Sequence, residues 1–215
     1  MLSRMLYLLK INFLKSAIVN FRLLGLIGLL KMPILLQYGS SIHASRGSVI
    51  FMKPLRLKML TLNRDNAISI ERGGCLVLHG TKACFNYRNS VNVFANAVFE
   101  LGDNFYANGL GEFNCRKRIA FGNGCLISVH TMFLDTDFHE ILDQESARIN
   151  DDREIIVGNR VWIGCNVTVL KGTVIGNDIV IGAGSQLSGK YIKNNSVYVS
   201  SSPVRLVKSG IRWRT

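Results

Sequence analysis

The sequence predicts an all-β solenoid preceded by a helical segment, and the spacing of aliphatic residues is the main reason. From position 157 to position 187 an aliphatic residue recurs at every sixth position, and glycine follows it at 158, 164, 176 and 182. An α-helix has a period of 3.6 and a β-strand a period of two, so neither explains this spacing. The recurring residues are Val157, Ile163, Val169, Ile175, Ile181 and Leu187.

Six residues suffice for one short strand and one corner of a coil whose aliphatic side chain points inward. Glycine or asparagine near the corner tolerates backbone angles that cost other residues about 1 kcal/mol or more. Successive coils then stack about 4.8 Å apart and pair as parallel strands. An antiparallel sandwich would instead show period-two strands joined by hairpin turns, so we regard it as the weaker alternative.

The same step of six begins earlier in the chain and is interrupted once. It runs through Leu101, Ala107, Phe113 and Ile119, and after a shift of two residues through Phe121, Ile127 and Phe133. Residues 135–154 lack the step, are polar, and hold eight of the fourteen acidic residues. We therefore expect a loop that projects from the solenoid, which is a common place for function on a rigid scaffold.

The N-terminal third carries most of the net charge of +12. Residues 1–64 contain ten Lys or Arg and no acidic residue, and residues 4–30 have the composition of one or two helices that end near Pro33. The longest uncharged run in this apolar part, Leu23 to Leu30, is too short for a membrane span of about 20 residues. Arg22 also splits the apolar core that a signal peptide would need.

Two interpretations of this basic apolar segment, residues 1–45, stay open. It lies on an anionic membrane surface, or it packs as a cap on its own domain, and the two are compatible. Nucleic acid is disfavoured as a partner, because the cations stand among aliphatic residues and no nucleic-acid-binding motif is present. The predicted organisation is the segment 1–45, a β-helix over 46–190 with the loop 135–154, and a tail over 191–215.

Five cysteines are present, an odd number, and none forms a CxxC pair. This pattern argues against a disulfide framework and against a structural zinc site. We expect small buried thiols in a reducing cytoplasm.

The stretch "VWIGCNVTVLKGTVIGNDIVIGAGSQLSG" and the loop motif "DTDFH" resemble the hexapeptide-repeat acyltransferases. Among these, the chain is most similar to the bacterial O-acetyltransferases of capsule, exopolysaccharide and lipopolysaccharide synthesis. The resemblance is strong over about 121–208, weaker over 47–120 and general over 1–46. It implies a left-handed parallel β-helix, a homotrimer and acetyl-CoA as the acyl donor.

The resemblance also implies site residues, beginning with His139 as the catalytic base in "DTDFH". His139 is one of four histidines and lies in the acidic loop between the two β blocks, and histidine titrates near neutral pH as a general base must. Asp137 or Asp135 would orient the imidazole, with a loop turn as an equally good account of these aspartates. His130 stands where relatives often carry an acceptor-binding asparagine, so we expect His130 and Asp135 to contact substrate.

The C-terminal part of the resemblance implies the coenzyme-binding residues. These are Trp162, Cys165, Ala183 and Ser188 along the pantetheine arm, and Arg205 and Lys208 in "SSPVRLVK" for the CoA phosphates. We expect no metal. His130, Asp135, Asp137 and His139 are possible zinc ligands, as in the β-helix carbonic anhydrases, but such sites normally use three histidines.

These expectations together predict an O-acetyltransferase in the bacterial cytoplasm, at the inner face of the cytoplasmic membrane. It would transfer acetyl from acetyl-CoA to a sugar hydroxyl of a surface polysaccharide or of a lipid-linked precursor. The alternatives are an N-acyltransferase of an amino sugar, a serine-type acetyltransferase, and a non-catalytic solenoid that serves as a membrane-surface scaffold.

Overall fold

The computed structural model describes residues 10–44, 49–51, 66–200 and 212–214. In this part of the chain one α-helix, α1 (Phe13–Lys31), precedes a series of short β-strands. Asn12 caps the start of the helix by accepting a hydrogen bond from the backbone N–H of Lys15 at 2.9 Å. Met32, in the left-handed conformation, ends the helix directly before Pro33, as the proline predicted.

The strands form three parallel sheets, and each coil of the chain adds one strand to each sheet. The first sheet contains β1 (Ile34–Leu36), β4 (Ala67–Ile70), β7 (Ser90–Val93), β10 (Glu112–Cys115), β13 (Met132–Leu134), β17 (Thr168–Leu170) and β20 (Gln186–Leu187). The second contains β2 (Ser41–His43), β5 (Cys75–Leu78), β8 (Val98–Leu101), β11 (Arg118–Phe121), β15 (Ile155–Val157), β18 (Val174–Ile175) and β21 (Lys190–Tyr191). The third contains β3 (Val49–Phe51), β6 (Ala83–Tyr87), β9 (Phe105–Gly109), β12 (Leu126–Ile127), β16 (Trp162–Ile163), β19 (Ile179–Ile181) and β22 (Ser196–Tyr198).

The result is a three-sided solenoid, which confirms the predicted architecture. A separate pair of strands, β14 (Glu140–Leu142) and β23 (Arg212–Arg214), is antiparallel and lies outside the three sheets. The solenoid extends beyond the predicted bounds of 46 and 190. Its first strand starts at Ile34, and β22 still pairs with β19 up to Tyr198.

The residues of the six-step pattern form the core, and each of them is at most 3% exposed. Stacked coils also bring together a column of phenylalanine rings. Phe113 lies parallel to Phe133 at a centroid distance of 5.0 Å and meets Phe99, Phe105 and Phe121 at an angle. Aromatic rings in such offset and edge contacts stabilise a core beyond the area they bury.

The glycines after the aliphatic residues serve close packing, which differs from the predicted reason. A Cβ atom on Gly122 would come within 2.7 Å of the backbone of Gly158, and one on Gly158 within 2.6 Å of the carbonyl oxygen of Gly176. The left-handed backbone positions lie two residues later, at Arg160 and Asp178 for example. These glycines directly follow strands of the second sheet, at the corner that leads to the third. Direct stacking of coils at this corner requires glycine, because any side chain would push two coils apart.

Candidate active site

The loop 135–154 leaves the solenoid at the corner between the first and second sheets, which we call the loop corner. It connects β13 to β15, and the strand register continues across it, because Ile119 pairs with Ile155 in the next coil. The projecting loop was predicted from the break in the six-step pattern. Its one strand, β14, begins directly after His139.

Asp135 lies at the base of the loop and is completely buried. One carboxylate oxygen, Oδ1, accepts the backbone N–H of Arg116 at 2.7 Å, and Oδ2 accepts those of Lys117 and Arg118 at 2.8 Å. Burial raises the pKa of Asp135, and the three N–H groups oppose that rise. Both oxygens thus hold the preceding turn together inside the protein, and no atom of Asp135 is exposed for the substrate contact that was predicted.

Asp137 and His139 are exposed, and Asn150 fixes the backbone between them. The side-chain amide of Asn150 donates to Asp137 Oδ2 and to the carbonyl oxygen of His139, both at 2.8 Å. Its oxygen accepts the backbone N–H of Ile141 at 2.7 Å. Asn150 is only 8% exposed, so these three bonds form largely away from water and hold the loop in one shape.

Lys171 reaches the same group from the following coil. Its Nζ donates to Asp137 Oδ2 at 2.6 Å and to the carbonyl oxygen of Asn150 at 2.8 Å, and its side chain is 12% exposed. A cavity of about 430 Å³ opens here, lined by Asp137, Ile149, Asn150, Asp151, Arg153 and Lys171. Sequence reasoning missed Asn150 and Lys171, because nothing in their local sequence reports that coil stacking brings them to Asp137.

Phe138, between the two candidate catalytic residues, provides a further anchor. Its backbone φ of 62° is in the left-handed region, and its N–H donates to Thr136 Oγ1 at 3.0 Å. Its ring meets that of Phe94 edge to face at 5.5 Å. A non-glycine residue in this conformation is costly and persists where the surroundings impose it, often at functional sites.

The other predicted residues lie at a different corner, between the third and first sheets, which we call the tryptophan corner. Trp162 is 50% exposed on β16, and its Nε1 donates to Ser128 Oγ at 3.1 Å. His130, Cys165 and Ala183 occupy successive coils of this corner and are all at least partly exposed. His130 has a φ of 55°, a conformation that asparagine tolerates better than histidine.

Ser188, which was predicted to lie along the pantetheine arm with Ala183, does not share its corner of the solenoid. Ala183 precedes β20, whereas Ser188 follows it and so lies at the loop corner. Its backbone N–H donates to the hydroxyl of Tyr191 at 3.3 Å. Arg205 and Lys208 lie outside the described residues.

The site residues thus divide between two corners of one chain. His139 and Asp137 lie at the loop corner, and Trp162, Cys165 and Ala183 lie at or beside the tryptophan corner. The width of the first sheet separates the two corners, because β13, β17 and β20 each run from one to the other. One chain alone does not bring these two groups together. Among the described residues, no group of three or more His, Cys, Asp or Glu has the arrangement of a metal site.

One segment of the sequence matches a known protein family. Residues 154–189 match six repeats of the bacterial transferase hexapeptide family. The chain also superposes on the solved structure of the polysialic acid O-acetyltransferase OatWY with a TM-score of 0.55 at 22% identity, over 82% of this chain and 88% of that one. The predicted left-handed parallel β-helix is therefore confirmed, and residues 154–189 carry its hexapeptide repeats.

Two named relatives are similar in sequence. One is the putative lipopolysaccharide biosynthesis O-acetyl transferase WbbJ of Escherichia coli K12, 30% identical over 127 residues, which are 55% of this chain and 64% of the relative. The other is the polysialic acid O-acetyltransferase of Neisseria meningitidis, 39% identical over 67 residues, 30% of this chain and 31% of the relative. The chain spans less than two thirds of each.

Proposed function

We propose that this protein is an O-acetyltransferase that transfers acetyl from acetyl-CoA to a hydroxyl group of a bacterial surface-polysaccharide sugar or of its lipid-linked precursor. The observation that carries the proposal is the exposed His139 in a loop that Asn150 and Lys171 fix from inside. The two relatives, both named as O-acetyltransferases of surface sugars, support it. We place the enzyme in the cytoplasm, at the inner membrane face, through residues 1–45.

In the proposed reaction His139 acts as general base. It takes the proton from the sugar hydroxyl as that oxygen attacks the thioester carbonyl, so a C–O bond forms while the C–S bond breaks. The proton then passes to the sulfur of the departing coenzyme, and no covalent enzyme intermediate is needed. A hydroxyl group is a weak nucleophile, so the base and the positioning of the two substrates account for the rate.

Asp137 is a positioning residue in this scheme. Its Oδ2 already accepts bonds from Lys171 and Asn150, which hold its carboxylate beside the backbone of His139. The N–H of His139 donates to the carbonyl oxygen of Asp137 at 2.7 Å, which tightens the turn further. Asp137 therefore acts on His139 through the shape of the turn that carries it.

The complete site is proposed to form between subunits of a homotrimer. Within one chain His139 and the predicted coenzyme residues Trp162, Cys165 and Ala183 lie at different corners. A ring of identical three-sided solenoids would place the loop corner of one subunit against the tryptophan corner of the next. His139 would then come from one subunit and the pantetheine contacts from its neighbour.

The first test is acetyl-CoA turnover with a panel of soluble oligosaccharides and lipid-linked precursors. Free CoA is quantified by chromatography, because the five cysteines would react with a thiol reagent. We expect acceptor-dependent release that falls by about 10²–10⁴-fold in His139→Ala. His43→Ala, an exposed histidine on β2, is the matched control and should retain full activity.

Two outcomes would contradict the proposal. Equal CoA release by wild type and His139→Ala would show that His139 is not the general base. If the protein neither released CoA nor bound it, the scaffold interpretation would be favoured. Treatment of the product with alkaline hydroxylamine identifies the linkage, because it cleaves an O-acetyl ester and leaves an amide intact. A stable product would therefore indicate an N-acyltransferase.

The shared site has its own test by complementation. His139→Ala and Trp162→Ala are each expected to be inactive when pure. If subunits assort at random in a trimer, about a quarter of the interfaces in an equal mixture combine an intact His139 with an intact Trp162. Co-expression should thus restore about a quarter of wild-type activity, and no recovery in verified mixed trimers would place the site within one chain.

A further inference from the structure

Helix α1 buries two polar residues and exposes many of its apolar ones. Ser16 and Asn20 are both 0% exposed and face β1, the end strand of the first sheet. The amide of Asn20 donates to the carbonyl oxygen of Ile34 at 2.7 Å and accepts its N–H at 3.1 Å, while Ser16 Oγ accepts the N–H of Leu36 at 3.0 Å. These side chains take the place of a neighbouring strand and cover the open edge of the sheet.

Leu23 is buried, and Val19 and Leu24 pack against the core, but seven other large apolar side chains of the helix are exposed. Leu14, Ile18 and Phe21 follow the spacing of one helix face, and Leu26 and Leu30 follow it again after the break at Gly25. Large exposed apolar side chains on a folded protein mark an interaction surface when they are contiguous. The exposed residues are Phe13 53%, Leu14 74%, Ile18 57%, Phe21 51%, Leu26 64%, Leu29 38% and Leu30 69%.

The charge around this outer face decides what covers it. Lys10 and Arg22 are exposed beside it, and residues 1–64 contain ten basic and no acidic residues. A second copy of the chain would bring the same positive charge against it, which opposes association. An anionic lipid surface matches both the apolar side chains and the positive charge of this face. Its acyl chains accept the apolar side chains, and its phosphate groups attract the cations.

We infer that α1 docks the solenoid onto an anionic membrane surface through the exposed apolar side chains Leu14, Ile18 and Phe21. The described residues include no helix of the length and apolarity that a membrane crossing demands. Helix α1 covers the first coil, and the loop corner with His139 lies further along the solenoid. Membrane docking through α1 does not depend on the proposed acetyl transfer.

The test is sedimentation of the full-length protein with sucrose-loaded vesicles of phosphatidylcholine alone or with a quarter of phosphatidylglycerol. We expect binding to the anionic vesicles that decreases with salt, and little binding to neutral ones. The triple variant Leu14→Gln, Ile18→Gln, Phe21→Gln should lower the partition coefficient by at least about 10-fold. A matched triple variant at exposed positions of the last coil, Ile192→Gln, Val197→Gln and Val199→Gln, should bind as wild type.

Point substitutions are preferable to deletion of residues 1–40, because deletion also removes Ser16 and Asn20 and exposes the edge of β1. Far-UV circular dichroism verifies that both triple variants are folded. Equal binding of all three proteins, or no binding of wild type to either vesicle, would overturn the inference. A change in oligomeric state of the α1 variant, without any change in vesicle binding, would assign the face to a second copy instead.

Discussion

Asp135 gives the sharpest test of how the loop is attached. In Asp135→Asn one of the two carboxylate oxygens becomes an NH₂ group, which cannot accept a backbone N–H. The amide can orient so that only the bond from Arg116 is lost, while those from Lys117 and Arg118 become bonds to a neutral acceptor. Hydrogen bonds to charged groups contribute about 1.5–3 kcal/mol each, and neutral ones about 1 kcal/mol.

The expected loss is smaller than the sum of these terms, because the variant no longer buries a charge. We expect Asp135→Asn to lower the free energy of unfolding by about 2 kcal/mol. For a chain of this length that corresponds to a decrease in Tm of roughly 4–8 °C. Urea and thermal unfolding, followed by far-UV circular dichroism, measure both quantities.

The control is Asp151→Asn, since the Asp151 side chain is 81% exposed and its contact with Arg148 is 3.8 Å long. It should change stability by less than about 0.5 kcal/mol. If Asp135→Asn were as stable as this control, the carboxylate would not be holding the 116–118 turn. A role in substrate binding would then have to be considered again.

Three further predictions concern the core, the thiols and the loss of stability at low pH. Phe113→Ala should cost about 3–5 kcal/mol in urea unfolding, since Phe113 is fully buried among four rings, and a loss below about 1 kcal/mol would contradict that packing. At pH 8 a thiol reagent should modify the partly exposed Cys165 well before Cys125, whose pKa burial raises to about 11, and equal rates would disprove the ordering. Burial alone would raise the pKa of Glu100, but hydrogen bonds from His79 and Arg118 lower that pKa below its ordinary 4.5. The ionised carboxylate therefore stabilises the fold above about pH 4.5, and this contribution is lost as the pH falls. In Glu100→Gln the free energy of unfolding should therefore decrease less as the pH falls. Urea unfolding at several pH values measures this, and the same decrease as in wild type would contradict it.

The solenoid could be predicted from the sequence because its signal is local and repeated. Every aliphatic residue of the six-step pattern is buried, since one inward position per strand is all that a coil requires. The reason for the glycines was harder to predict. Gly158 is needed because another backbone lies 2.6–2.7 Å from its missing Cβ, a distance that exists only after coils have stacked.

The candidate site was only partly predictable for a related reason. His139 and Asp137 were found because they form one short motif in a loop. Lys171 belongs to another coil, and its contact with Asp137 arises from stacking of corners that are 34 residues apart in sequence. The burial of Asp135 could not be predicted, because a carboxylate in an acidic loop has the same local sequence whether it faces substrate or a buried turn.

Helix α1 shows a limit of pattern reading. Residues 4–30 were expected to be helical, and within the described part the helix begins at Phe13, after Ile11 has formed a bridge with Gln37. Ordinary amphipathic logic would bury the apolar residues and expose Ser16 and Asn20. Ser16 and Asn20 are buried instead, because the edge of β1 offers backbone N–H and C=O groups that these polar side chains satisfy.

The continuity of the strand register across the loop has a consequence for how such a protein diversifies. Phe121 pairs with Val157 as if the loop were absent, so the strand register of the neighbouring coils does not depend on the length of the loop. The entropic cost of a longer loop grows only slowly with length. Loops of different sequence could be exchanged at this position while the solenoid keeps its geometry. Reactivity towards a new acceptor would then be acquired by replacing one loop.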